Sequence, residues 1–252
     1  MPVSRCEARH RLARLALATI VLSGVSGCTT DWLARFAPAS APPAGDTATA
    51  PLQLAELSPR QQAHACLVTA QSLAASGYDA EAIALYERAS TLDPDLALQL
   101  AHPLAVLYDR RGDNTRALHA YRQALSARPH CPEVLNDLGV YYLRLGQLPE
   151  AEQHLRLALQ RAADSPRIRV NLGICLARQR RYQEAYEQFA SALDPAAAHS
   201  NIGVIAARNG DVGLARAALR QALQHDPTLR QPQIVLNQLD GPAIVQAAAV
   251  SR

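Results

Sequence analysis

Residues 137–155 read DLGVYYLRLGQLPEAEQHL, and residues 171–189, 34 positions on, read NLGICLARQRRYQEAYEQF. Small and large positions return in register: Gly139 with Gly173, Ala151 with Ala185, Leu155 with Phe189. Most polar positions change. Such a period describes supersecondary units that cannot bury their apolar faces alone and must stack. The same phase extends in both directions through a G-x4-A pair, in which Gly ends one helix and Ala packs early in the next. Gly77/Ala82, Gly112/Ala117, Gly146/Ala151 and Gly210/Ala215 fit, and Arg180/Ala185 keeps the Ala but not the Gly. The Ala residues are spaced by 35, 34, 34 and 30. Bulky Tyr86, Tyr121, Leu155, Phe189 and Leu219 follow them.

The units are helical. An aromatic share of 4%, with abundant Ala, Leu, Arg, Gln and Glu, favours helices over a sandwich or barrel. Ser58-Pro59-Arg60-Gln61 supplies an N-cap, a Pro at the first helical position and a Gln to complete a capping box. Asp93-Pro94, Arg128-Pro129, Asp194-Pro195 and Asp226-Pro227 close helices between repeats, and Pro166 follows a longer joint. The spacing of 30 between Ala185 and Ala215 is four residues short, about one helical turn. It predicts a short second helix in repeat four. Residues 229–239 read as a capping helix, ended by Asp240-Gly241-Pro242.

The period, with L-G-x2-Y, A-x3-F and a closing Pro, resembles the tetratricopeptide repeat from about residue 58 to 229. The resemblance implies an all-α, right-handed α-α solenoid of about five helix pairs with a C-terminal cap, spanning residues 58–240. It also implies that partners lie along the inner face of the first helices, chiefly at positions 2, 5, 9, 12 and 13 of each copy. With copies starting at Ala63, Leu98, Pro132, Pro166 and Ala196, position nine holds Gln71 and then Val106, Val140, Ile174 and Val204. Position 13 holds Ala75 and then Arg110, Arg144, Arg178 and Arg208. An apolar strip beside a basic strip is the expected partner-binding groove. Two other readings stand beside it: core packing for the β-branched strip, and dipole complementation in the last helical turn for the arginines. The two-Lys, Asn-rich clamp for chaperone tails is absent, since positions 5 and 9 read Leu67/Gln71, His102/Val106 and Asn136/Val140.

The first residues carry an address. Arg5, Arg9, Arg11 and Arg14 precede an apolar run from Leu15 to Val25, a secretory signal pattern. The run is well short of the roughly 20 residues needed to span a bilayer. Val25-Ser26-Gly27-Cys28 resembles the bacterial lipobox, which implies a signal peptide over 1–27 and a lipidated N-terminal Cys28. Thr29, in place of Asp, implies sorting to the outer membrane, with the chain facing the periplasm. Cleavage removes four Arg and one Glu, leaving 21 Arg against 21 acidic residues. A mature chain without net charge has no basic footprint for nucleic acid. Residues 28–57 read as a lipid-bearing, Pro- and Ala-rich disordered tether whose typical span is about 30 Å. Residues 241–252 read as a frayed tail.

Catalytic chemistry has nothing to rest on. G-x-S-x-G, G-x4-G-K-[ST] and H-E-x2-H are all missing. His130-Cys131 lacks further metal ligands at usable spacing, and Cys66 and Cys175 fall on apolar helix positions as small hydrophobes. No catalytic residue, metal, cofactor or small-molecule substrate is expected. The expected partners are envelope proteins in the groove and the lipid bilayer at Cys28. Lipobox, tether and five repeats together resemble the assembly lipoproteins of tight-adherence pili, which implies a scaffold for a pilus or secretin. The alternative is an adaptor of peptidoglycan hydrolases or synthases.

Overall fold

A computed structural model describes residues 57–241. The expected signal peptide over 1–27, Cys28, residues 29–56 of the expected tether and residues 242–252 lie outside them. Among the described residues there are eleven α-helices and no strand: α1 Pro59–Ala75, α2 Asp79–Leu92, α3 Ala97–Arg110, α4 Asn114–Ala127, α5 Pro132–Leu145, α6 Leu148–Arg161, α7 Pro166–Arg178, α8 Tyr182–Ala190, α9 Pro195–Arg208, α10 Val212–His225 and α11 Arg230–Asp240. The helices α1 to α10 form five antiparallel pairs, and α11 packs on both helices of the last pair. None of these helices is long and apolar enough to cross a membrane.

Local chemistry sets the boundaries. The Gln61 N–H donates to Ser58 Oγ at 3.4 Å while the Ser58 N–H donates to Gln61 Oε1 at 2.8 Å, closing the capping box that starts α1. Ser165 and Asp194 cap α7 and α9 by the side chain alone, accepting from the Ile168 and Ala197 N–H groups, and each is followed by Pro at the first helical position. Between paired helices the chain reverses through left-handed Gly77, Gly112, Gly146 and Gly210, with φ between 77° and 83°.

Arg180 occupies the fourth such position with φ 65°, the sole non-Gly residue of positive φ among those described. A side chain there costs roughly 1–2 kcal/mol. The Arg180 guanidinium offsets this by donating to Asp211 and to the Asn209 carbonyl, which ties repeat four to repeat five. We expect Arg180→Ala, which keeps the strain and loses the tie, to be about 1 kcal/mol less stable than Arg180→Gly, which loses both. Urea midpoints measure the difference, and an alanine variant at least as stable as the glycine variant would contradict this account.

The repeated skeleton is the core. Ala82, Ala117, Ala151, Ala185 and Ala215 are fully buried, and Tyr86, Tyr121, Leu155, Phe189 and Leu219 are no more than 1% exposed. In the last three repeats the bulky residue lies directly over a glycine of the first helix. A Cβ added at Gly139, Gly173 or Gly203 would sit 2.7, 2.7 or 2.6 Å from Leu155, Phe189 or Leu219. In the first two repeats the equivalent positions are Ala70 and Ala105, both fully buried, and Tyr is the plug. Cys66 and Cys175 are buried as expected, and both are free thiols.

The short helix is also found. α8 has nine residues, whereas α2, α4, α6 and α10 each have 14. Tyr186 on α8 packs its ring 4.8 Å from His199 of α9, which stacks at 5.7 Å on His225 at the end of α10. Burial and the neighbouring His225 lower the pKa of His199.

A candidate protein-interaction groove

First helices of successive pairs touch one another directly, α3 on α5, α5 on α7 and α7 on α9. Second helices are linked mainly through the first helix of the next pair. The stack therefore curves with α1, α3, α5, α7 and α9 on its inner side. The spacing of positions 2, 5, 9 and 13 puts these side chains on one face of each inner helix.

Of the apolar strip, Val106, Val140 and Ile174 are half-buried, each on a different inner helix. Val204 is 6% exposed, on a helix packed from both sides by α7 and α11. Core packing explains it, and the accessible strip ends at Ile174.

Three of the four arginines of the basic strip reach back to the preceding repeat, and two of those are neutralised by a carboxylate there. Arg110 donates to Asp79 and, at 3.1 Å, to the Ala74 carbonyl. Arg144 donates to Asp109 Oδ1 and Asn114 Oδ1, both at 2.6 Å. Burial pushes the Asp109 carboxyl up even though Arg144 pulls it down. Arg178 reaches back in the same sense, but its acceptor is the Leu143 carbonyl. Arg208 is exposed and has interactions of its own; partial burial and the nearby Arg178 lower its pKa. The arginines thus form a ladder of ties between repeats, a role that last-turn dipole complementation alone did not foretell. Exposed pairs of this kind contribute about 0–1 kcal/mol each.

Beside the strip the groove floor holds a polar network that sequence reasoning missed. Asp137 of α5 pairs with His102 Nε2 of α3 at 3.0 Å and with Arg167 of α7 at 2.5 Å, so one carboxylate bridges three repeats. Asn136, only 1% exposed, donates to Asp137 Oδ1 and accepts from Asn171 Nδ2 at 2.8 Å. Burial alone would raise the pKa of Asp137, but His102, Arg167 and Asn136 outweigh it and hold the carboxyl below the ordinary value. The signal was available. His102 and Asp137, like Asn136 and Asn171, are 35 residues apart, one repeat plus one position.

Among the described residues no group of three or more His, Cys, Asp or Glu is placed to hold a metal. The groove offers a half-buried apolar strip, fixed hydrogen-bonding groups and guanidinium groups. That arrangement suits an extended or helical segment of another protein.

The comparisons agree with this architecture. Family models described as tetratricopeptide repeat match residues 102–166, 158–198 and 196–229, leaving the first helix pair unmatched. No curated protein sequence matches the chain. Among solved structures, the chain is similar to YrrB, a TPR protein with an unusual peptide-binding site. The likeness has 25% identity and a TM-score of 0.53 over 67% of this chain and 89% of that one. It is also similar to PilW, a widely conserved type IV pilus biogenesis factor, with 22% identity and a TM-score of 0.57 over 75% of this chain and 90% of that one. A third is PilF of Pseudomonas aeruginosa, at 19% identity and a TM-score of 0.55 over 76% of this chain and 89% of that one. Matched models over more than half of its length, in phase with five observed helix pairs, place the chain in the tetratricopeptide repeat family, whose solenoids serve protein–protein interaction.

Proposed function

We propose that the chain is a non-enzymatic scaffold, anchored by lipid at Cys28 to the outer membrane and facing the periplasm, which assists assembly of an envelope complex such as a pilus. The observation that carries the scaffold reading is the groove itself: Val106, Val140 and Ile174 remain partly exposed along three successive inner helices. Half-buried β-branched residues in a row gain little from solvent, and contiguous apolar surface marks interaction sites. The lipobox-like Val25-Ser26-Gly27-Cys28 supports the anchor. The likeness to PilW, a type IV pilus biogenesis factor, supports the choice of a pilus over other envelope assemblies.

Cys28→Ala is expected to move the protein from the membrane to the soluble fraction without altering its helical circular dichroism, because the repeats fold independently of the thiol. Membrane fractionation, with mass spectrometry of the native N-terminus, checks this. Full membrane retention of the variant, together with an unmodified native Cys28, would contradict the anchor. Crosslinking in envelopes tests the pilus assignment: pilus or secretin subunits are expected as neighbours, and peptidoglycan hydrolases or synthases in their place would reassign the scaffold.

A further inference from the structure

The inner helix of repeat four carries unbalanced charge. α7, PRIRVNLGICLAR, has three arginines and no carboxylate. Arg167 is held by Asp137 at 2.5 Å. Arg169 donates to Gln188 Oε1 and the Ala163 carbonyl, and Arg178 to the Leu143 carbonyl, all neutral acceptors. The contrast with Arg110 and Arg144 is direct, since Asp79 and Asp109 already take up their charge. α9, the next inner helix, also contains no Asp or Glu. On this inner helix, then, two cations are left without a carboxylate among the described residues: Arg169, which is held toward Gln188 of α8, and Arg178, which is exposed and one turn beyond the half-buried Ile174 on the same face.

We infer that the groove at repeats three and four takes an extended segment of a protein partner in which apolar side chains lie on Val140 and Ile174 and an Asp or Glu side chain meets Arg178. This rests on the groove reading above and adds register and charge to it. Adjacent inner helices stand about 8–10 Å apart, and an extended chain of polyproline II geometry advances about 3.1 Å per residue with about three residues per turn, so the apolar anchors recur on one face at about every third residue. The acidic side chain is carried beside the anchor that lies on Ile174, since Arg178 stands one turn away on the same helix. Arg110 and Arg144, already paired, add little to the choice of partner.

The test is selection of short random peptides by the purified full chain in detergent, the peptides acetylated and amidated so that only side-chain charge is read. The selected set is expected to be enriched in Asp and Glu. Arg178→Gln, which keeps an N–H for the Leu143 carbonyl, is expected to weaken a selected acidic peptide about fivefold at low salt, and less at high salt. Arg178→Glu is expected to shift selection toward basic peptides, whereas Arg156→Ala, on the second helix α6 and away from the groove, leaves the acidic preference in place. Melting curves establish that each variant is folded; if Arg178→Glu does not fold, the glutamine variant decides. A selected set without acidic enrichment, or an acidic preference indifferent to Arg178, overturns the inference. The groove reading fails separately: it fails if a folded Val140→Asp, Ile174→Asp variant retains the same peptides. If that variant loses them while the Arg178 variants keep the acidic preference, only the inference falls.

Discussion

Phe189→Ala is expected to lower the unfolding free energy by about 3–5 kcal/mol, the largest loss for any single truncation in the solenoid. The Phe189 ring is fully buried at the short helix α8 and lies over Gly173, which has no side chain to fill the space the ring would leave. Within repeat four little can collapse into that space, because Ala185 and Leu172 are themselves fully buried and close-packed. Stability in a linear array is the sum of each unit and its interfaces, so the loss is felt at both faces of repeat four. A second substitution identifies the mechanism. Gly173→Ala in the Phe189→Ala background is expected to recover part of the loss, while Gly173→Ala alone destabilises by about 1–3 kcal/mol, its Cβ being set against the ring. Urea unfolding of the four proteins measures the coupling. Additive effects would mean that the two residues do not share one space.

Much of this fold was legible because packing writes small and large residues at fixed intervals. Gly139 and Leu155, or Gly173 and Phe189, state the same contact twice, and the missing four residues before Ala215 announced the nine-residue α8. The left-handed turn at Arg180 was visible as a missing Gly, though its compensation by Asp211 and Asn209 was not. The groove was legible in position but not in state. Periodicity put Val204 in line with Val106, yet only the packing of α11 and α7 around α9 removes it from the surface. Likewise, Arg144 repeats in register with Arg178, but one meets Asp109 and the other a backbone carbonyl. The difference lies at position 12 of the preceding copy, Asp109 against Leu143, a relation across repeats rather than within one.

Val140→Asp with Ile174→Asp is expected to abolish partner capture, lowering affinity at least 100-fold, which corresponds to about 2.7 kcal/mol. The two side chains stand on adjacent inner helices and are half-buried before any partner arrives. A partner segment laid on them would meet two carboxylates in place of apolar contacts. The one at 140 has no free counter-charge, because Arg144 is taken up by Asp109, and the one at 174 would draw Arg178 away from the partner. In both cases desolvation of the carboxylate outweighs the dispersion attraction of the groups packed around it. Because the penalty is desolvation rather than long-range attraction, added salt should not restore binding. Substitution on the second helices is expected to leave capture unchanged. Arg156 on α6, paired with Glu152 at 2.7 Å and with Glu184 at 3.8 Å, provides that comparison. The most direct measurement is capture from solubilised envelopes by the native chain, the double aspartate variant and Arg156→Ala, with matched melting temperatures and the recovered proteins quantified by mass spectrometry. The account predicts a specific set of envelope proteins retained by the native and Arg156→Ala chains and missing from the double variant; the same set recovered at native yield by the folded double variant would contradict it.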